Sequence, residues 1–129
     1  MLVAVYVVIG ILIAFFGMQY LVVMRGKRNK GKRIEGVSGK IKHAIQAGGK
    51  AMVYFYSPSC RACKYQTPVI DKLISGGHNV QKVDISRDMA TARKFGVMAT
   101  PTTVVLEGDR IVEFLVGAKT EDKLRSLLS

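Results

Sequence analysis

The sequence has few of the residues that hold small extracellular domains or metal sites together. Its 129 residues include only two cysteines, Cys60 and Cys63, and only two histidines, His43 and His78. A disulfide-scaffolded secreted domain needs more cysteines, which argues against a structural framework of that kind. A zinc site needs four ligands, and the two histidines stand at spacings that match no usual zinc finger. We therefore predict no metal site, and we expect both histidines to be ordinary surface residues.

Acidic residues are also scarce, and the resulting positive charge is concentrated in one part of the chain. The net charge is +11, from 20 Lys and Arg against nine Asp and Glu. Residues 25–50 alone carry nine basic residues and one acidic residue, a net charge of +8. A nucleic-acid-binding protein would more naturally spread its basic residues over the folded surface, interleaved with aromatic residues. We therefore predict no nucleic-acid partner.

No charged residue interrupts positions 2–24, a run in which Gln19 is the only strongly polar side chain. About 20 apolar residues in a helix cross a bilayer core of roughly 30 Å. A cleaved secretory signal would have a shorter apolar core, preceded by positive charge and followed by small residues. A buried core helix does not fit, because the remaining chain could not cover a helix that is apolar on every side. We predict a transmembrane anchor over residues 1–24.

Basic residues follow this apolar run and none precedes it. Six lie directly after it, at positions 25, 27, 28, 30, 32 and 33. Because flanks rich in Lys and Arg stay on the cytoplasmic side, we predict a single-pass protein whose soluble domain is cytoplasmic. The same residues suit anionic lipid head groups, at about 1 kcal/mol per charge near the surface, so residues 1–33 are the predicted lipid contacts. A stop-transfer signal without lipid contact is an equally good interpretation of this cluster.

Residues 25–39 contain four glycines and no apolar periodicity, which predicts a flexible basic linker. The folded domain is predicted over residues 40–129, and we expect a chain that starts near Val37 to fold without the anchor. Its predicted elements follow the order α-β-α-β-α-β-β-α, with a strand over residues 51–56 and a helix from Cys60 to about Ser75. Alternating elements that end in a hairpin indicate an α/β domain with a mixed sheet and helices on both faces.

The segment Cys60-Arg61-Ala62-Cys63 falls where the predicted strand gives way to the predicted helix. The first turn of a helix has unsatisfied N–H groups and a partial positive charge, which stabilise a thiolate. A separation of three residues puts the second sulfur one turn later on the same face, close enough for a disulfide. We predict that Cys60 is the exposed nucleophile and Cys63 the shielded resolving thiol. Arg61 adds a cation that lowers the thiolate pKa further, into a range of about 3.5–7.5.

Further motifs around the pair resemble the thioredoxin family. The resemblance extends from about residue 40 to residue 129 and rests on residues 57–64 (SPSCRACK), Thr67-Pro68, residues 95–102 (FGVMATPT) and residues 116–118 (VGA). It implies a thioredoxin-like α/β fold, with a mixed sheet of four or five strands flanked by helices. It also implies a cis peptide bond before Pro101 that faces the cysteines, a backbone at Thr100 that pairs with the substrate chain, and Gly117 at the rim of the site.

The sequence departs from the family pattern at several positions. The usual Trp-Cys-Gly-Pro-Cys is SCRAC here, at residues 59–63. The buried Asp that usually relays protons to the second thiol is Tyr54, and Lys82 matches the lysine that normally lies near that Asp. Tyr54 is a poor proton relay at neutral pH, because the reference pKa of tyrosine is about 10. Asp84 is a candidate substitute, although a surface or turn role suits it better. The stretch before residue 40 is also too short for the family's usual first strand.

These features together predict a membrane-tethered thiol–disulfide oxidoreductase that reduces protein disulfides. Cytoplasmic exposure favours a reductase, because that compartment keeps thiols reduced. We expect no cofactor beyond the redox-active pair Cys60 and Cys63, a monomeric soluble domain, protein disulfide substrates and a redox partner that recharges the pair. Two alternatives stay open. One is an extracytoplasmic oxidase or isomerase of the same fold, and the other is a membrane-tethered binding or metal-handling module without redox turnover.

Overall fold

Five helices and four strands make up the described part of the computed structural model, residues 1–37 and 39–129 without the side chains at positions 25–27 and 29. The helices are α1 (Leu2–Asn29), α2 (Gly39–Gln46), α3 (Cys63–Ser75), α4 (Met89–Phe95) and α5 (Glu121–Leu128). The strands are β1 (Lys50–Tyr56), β2 (Val80–Asp84), β3 (Thr102–Glu107) and β4 (Arg110–Val116). After α1, the order of elements is the predicted one.

The four strands form one mixed sheet with the order β2-β1-β3-β4. Strand β1 is parallel to β2 and antiparallel to β3, and β3 is antiparallel to β4. Phe55 is opposite Thr102, which in turn is opposite Val116. The end of β1, the start of β3 and the end of β4 therefore meet at one end of the sheet, which we call the upper end.

Both faces of the sheet are covered, which explains the continuous apolar run in β1. Successive side chains of a strand point to opposite faces. Val53 and Phe55 belong to a core that includes residues of α2 and α4, whereas Met52 and Tyr54 belong to a second core that includes residues of α3 and α5. The predicted architecture, a mixed sheet with helices on both faces, is confirmed.

The predicted linker differs from the structure. Helix α1 continues to Asn29, five residues past the apolar run, and residues 31–34 pair with the outer edge of β4. The Gly31 N–H donates to the carbonyl of Ile111 (2.6 Å), the Ile111 N–H to that of Lys32 (2.9 Å) and the Ile34 N–H to that of Asp109 (2.7 Å). Ile34 is 4% exposed and packs in the α2/α4 core. The prediction of a flexible linker without core contacts is therefore wrong for these residues, and Ser38 of the predicted linker lies outside the described part.

We call residues 30–34 the edge segment. Within the described residues it forms one isolated β-bridge, with Arg33 opposite Arg110. In the described residues the sheet has four strands, and no full strand precedes α2. This agrees with the expectation that the stretch before residue 40 is too short for a complete first strand.

Helix α1 makes few contacts with the rest of the molecule. Its residues Leu2–Met24 are long and apolar enough to cross a membrane, and none of the most apolar stretch is buried against the domain. Its large apolar side chains are all at least 39% exposed. An apolar helix that the domain leaves uncovered needs another apolar environment.

Candidate active site

Cys60 and Cys63 form a disulfide at the upper end of the sheet, with their Cα atoms 5.3 Å apart. Cys60 is half-buried in the loop after β1, and Cys63 is 3% exposed. Helix α3 begins at Cys63, with Ala62 as its N-cap, so the prediction that Cys60 starts the helix is wrong by three residues. The physical reason is a turn over residues 57–60, in which the Cys60 N–H donates to the Ser57 carbonyl at 3.1 Å.

The first backbone amide of α3 nevertheless points at the Cys60 sulfur. The backbone N–H of Cys63, the first helical residue, donates to the Sγ of Cys60 at a distance of 3.1 Å. This N–H has no partner within the helix, because the first four amides of a helix never do. A thiolate at this Sγ would gain both the hydrogen bond and the positive end of the helix dipole. Arg61, the next residue in this loop, is exposed.

A cis peptide bond joins Thr100 and Pro101, as the sequence motif implies. Pro101 is buried and directly precedes Thr102, which pairs with Phe55 near the end of β1. The Gly117 N–H donates to the Pro101 carbonyl at 2.8 Å. Gly117 has a φ of 90°, and a Cβ added there would meet no atom within 4 Å. The predicted residues Thr100, Pro101 and Gly117 thus lie at the same end of the sheet as the disulfide.

Tyr54 lies beneath the second cysteine and is fully buried. Its hydroxyl donates to the backbone carbonyl of Cys63 at 3.4 Å and lies 2.9 Å from the Thr67 Oγ1. Its ring stacks on Tyr56, with centroids 5.6 Å apart. Burial raises the pKa of Tyr54 above its ordinary value of 10.0, although the Thr67 hydrogen bond opposes this. The phenol therefore stays protonated at neutral pH and cannot act as a base.

Lys82 is opposite Tyr54 across the parallel pair β1/β2. Its ammonium group donates to Asp71 Oδ1 at 2.9 Å, and this hydrogen bond is the main reason that the pKa of Lys82 is raised. Both side chains are partly exposed. Sequence reasoning missed Asp71, which is on α3. The pattern gave no signal for it, because a polar residue on a helix surface needs no special explanation.

Asp84 does not take the place of the missing buried acid. Its carboxylate accepts hydrogen bonds from the backbone N–H and the hydroxyl of Ser86, and Arg87 lies 3.9 Å away. These contacts belong to the turn after β2. His43 lies on the exposed side of α2 and His78 in the turn after α3. Within residues 1–37 and 39–129, no three His, Cys, Asp or Glu side chains come together as a metal site would require.

The sequence did not predict the contacts of three further polar side chains near the site. Gln66 is 1% exposed and contacts the loop before α5 in two ways. Its Nε2 donates to the Lys119 carbonyl at 3.2 Å, and its Oε1 accepts from the Lys119 N–H at 2.6 Å. The Thr67 Oγ1 is hydrogen-bonded to the Tyr54 hydroxyl. Thr103, opposite Tyr54 on β3, has a buried hydroxyl without a partner among the described residues.

Comparison with known proteins agrees with this geometry. The family model described as Thioredoxin matches residues 34–129. Thioredoxin from Bacillus subtilis is 33% identical over 84 residues, which are 63% of this chain and 81% of that protein. Thioredoxin from Chlamydia muridarum is 35% identical over 85 residues, covering 64% of this chain and 83% of the relative.

Solved structures give the same result. A mutant thioredoxin from Halobacterium salinarum superimposes with a TM-score of 0.66 at 26% identity, covering 78% of this chain and 88% of that one. Mitochondrial thioredoxin 3 from Saccharomyces cerevisiae, in its oxidised form, has a TM-score of 0.58 at 25% identity, with coverage of 69% and 85%. The family match begins at Ile34, the first buried residue of the edge segment. With its Cys60–Cys63 disulfide, the chain belongs to the thioredoxin family of thiol–disulfide oxidoreductases.

Proposed function

We propose that this chain is a membrane-tethered reductase of protein disulfides in which Cys60 is the attacking thiol. The observation that carries the assignment is the hydrogen bond from the Cys63 amide to the Cys60 Sγ. An amide at a helix start lowers the pKa of a cysteine thiol that it contacts. Cys60 is also the more exposed of the two cysteines, as an attacking group must be.

The reaction exchanges two thiols for one disulfide. The Cys60 thiolate attacks one sulfur of the target disulfide and forms a mixed disulfide, while the other target sulfur leaves and takes a proton. Cys63 then loses its proton and attacks the Cys60 Sγ, which closes the Cys60–Cys63 disulfide and releases the second target thiol. Two electrons pass to the target. A dithiol-donating redox partner restores the pair, and no cofactor is needed beyond the two sulfurs.

Residues around the pair have supporting roles in this proposal. Thr100 offers its backbone to the substrate chain beside the disulfide, and Gly117 leaves the rim open for it. Arg61 adds positive charge next to the thiolate. Tyr54 positions the first turn of α3 through the Cys63 carbonyl, and Lys82 with Asp71 ties β2 to the same helix.

Helix α1 tethers the domain to a membrane. Its length, apolar composition and lack of cover by the domain support this role. The basic residues that follow the apolar run support a cytoplasmic domain, and a cytoplasmic domain favours reduction over oxidation. Arg28 and Arg33 are exposed near the end of α1, where they suit anionic lipid head groups, whereas Lys30 lies against Glu113 and Lys32 donates to the Lys94 carbonyl.

The nucleophile is tested by trapping. The Cys63→Ala variant should accumulate a covalent mixed disulfide with a protein substrate, because nothing resolves it. The matched Cys60→Ala variant should trap almost nothing. The intact chain should also reduce insulin with dithiothreitol as electron donor, and Cys60→Ser should abolish this. Equal trapping by both alanine variants would overturn the assignment of Cys60, and the absence of any reduction would indicate a binding module.

The orientation is tested by a reporter enzyme that is active only outside the cytoplasm, fused after Ser129. The fusion should be inactive, and a cytoplasmic reporter at the same site should be active. The reverse result would place the domain outside the cytoplasm, where an oxidase or isomerase is the better assignment.

A further inference from the structure

The connection between α1 and the domain is part of the folded sheet. Three backbone hydrogen bonds join the edge segment to residues 109–111, and the Lys30 ammonium group lies 3.3 Å from the Glu113 carboxylate. The burial of Ile34, which is 4% exposed, adds an apolar contact with the domain core. No long flexible stretch separates the last helical residue, Asn29, from this docked segment. The tether is therefore short and fixed at its domain end.

The direction of the edge segment brings the tether toward the redox pair. Because Arg33 and Arg110 form an antiparallel bridge, the chain traced backward from Ile34 to Lys30 follows β4 from Asp109 to Glu113. That is the direction toward the upper end of the sheet. Helix α1 therefore leaves the domain beside Glu113, in the middle of β4. The chain leaves in the direction of the upper end of the sheet, where the disulfide lies.

These contacts limit the height of the disulfide above a bilayer. From Met24 to Asn29, the helix rises about 7.5 Å. From Glu113 to Val116, the strand extends about 10 Å. Val116 pairs with Thr102, which adjoins the cis-proline loop. With the three steps from the edge segment across β4 and β3 to β1 included, this path adds up to roughly 35 Å from the end of the apolar run to the end of β1, next to the loop that carries the redox pair. A free linker over residues 25–39 would instead allow roughly 50 Å of tether alone.

We infer that the natural targets are integral membrane proteins whose disulfides lie close to the bilayer surface, within the height that this tether allows. The inference rests on the proposed function and adds the class of substrate to it. Two proteins in one membrane meet at a high effective concentration only if their reactive groups reach the same height. A docked, short tether favours membrane-proximal disulfides and disfavours those carried far from the membrane.

The test measures reduction as a function of target height. The full chain and a single-span target are reconstituted together in phosphatidylcholine vesicles, with dithiothreitol as electron donor. The target carries its disulfide on a semi-rigid helical stalk of about 10 or about 50 residues, which is a height of about 15 or about 75 Å. A variant with about 40 Gly and Ser residues inserted between Asn29 and Lys30 extends the tether by about 35 Å and keeps the edge segment intact. The same insertion after Ser129 is the matched control.

We expect the unaltered chain and the control to reduce the short-stalk target at least about tenfold faster than the long-stalk target. The lengthened tether should bring the two rates to within about threefold. Equal rates for both targets with the unaltered chain, or slow reduction of both while insulin is reduced normally, would overturn the inference. Loss of insulin reduction would instead contradict the proposed function itself, so the two failures are distinguishable.

Discussion

The phenol oxygen of Tyr54 and the hydroxyl oxygen of Thr67 lie 2.9 Å apart beneath Cys63. The pair links β1 to the active-site helix, and the phenol also donates to the carbonyl of Cys63. Members of the family that carry a carboxylate at the Tyr54 position have a proton acceptor there. This chain has a neutral donor instead, so the interaction orients α3 and does not remove a proton from Cys63.

The first prediction concerns the coupling of Tyr54 and Thr67 in stability. Tyr54→Phe and Thr67→Val each remove one hydroxyl without a large change in volume, and each should cost about 1 kcal/mol of unfolding free energy. The double variant should cost about 1 kcal/mol less than the sum of the two, because either single change already breaks the shared hydrogen bond. Urea unfolding of the unaltered protein, the two single variants and the double variant, all oxidised, measures these free energies. Strict additivity would show that the two hydroxyls do not interact.

The second prediction concerns the resolving step. With the Tyr54 pKa raised by burial, no base is available at this position near pH 7. Tyr54→Asp supplies one and should speed release of the mixed disulfide by roughly tenfold or more near neutral pH, the effect of a placed general base. Tyr54→Asn opens the same space without a base and is the control. Stopped-flow resolution rates compare the two, and equal rates would show that water or another group already takes the proton.

Much of the active site was predictable because its signals are local. Residues 60–63, 95–102 and 116–118 are each a short continuous motif, so their resemblance to the thioredoxin family could be recognised from the sequence, and the structure brings them to the upper end of the sheet. Strand β1 was equally clear, because five successive residues, Ala51–Phe55, are buried between two helical layers.

The contacts that escaped prediction join distant parts of the chain. Gln66 and Lys119 are 53 residues apart, and nothing local indicates their pairing. Ile34 is a single apolar residue among glycines and charges, so it shows no periodicity, and only the position of the β4 edge explains its burial. Helix α1 continues past the apolar run because Arg and Lys are good helix formers, so the change to charged side chains does not by itself end the helix.

The third prediction revises the boundary of the folded domain. A chain that starts at Val37 lacks Ile34 and the hydrogen bonds of the edge segment, so it should be about 2–4 kcal/mol less stable than one that starts at Lys30. Ile34→Ala in the longer chain should by itself cost about 2 kcal/mol of unfolding free energy, which separates the effect of burial from that of backbone pairing. Urea unfolding of the three proteins provides the comparison. Equal stability of the two lengths would mean that the edge segment does not hold to β4.

The last prediction concerns Gln66, whose amide bonds both backbone groups of Lys119. Gln66→Leu leaves this N–H and carbonyl without their partner and should cost about 1–3 kcal/mol of unfolding free energy. Because Lys119 is two residues from Gly117, which donates to Pro101, the loop beside the substrate strand should also loosen. We expect kcat/KM for a protein disulfide to fall several-fold, with the alkylation rate of Cys60 by a small reagent unchanged. A proportional loss in both would indicate a general defect in folding.

Gln66→Glu provides the matched control, because its loss of unfolding free energy should depend on pH. The ionised side chain can still accept from the Lys119 N–H, but it can no longer donate to the Lys119 carbonyl. Burial and that carbonyl both favour the protonated form, so the pKa of this carboxyl in the folded protein is raised above the reference value of about 4.3. A group whose pKa is raised on folding contributes stability that is fully present below the unfolded pKa and is lost as pH rises through the folded one. The loss of unfolding free energy caused by Gln66→Glu should therefore shrink as the pH falls toward 4, whereas the loss caused by Gln66→Leu should stay constant. A pH-independent deficit for both variants would show that the Lys119 carbonyl does not depend on a donor from residue 66.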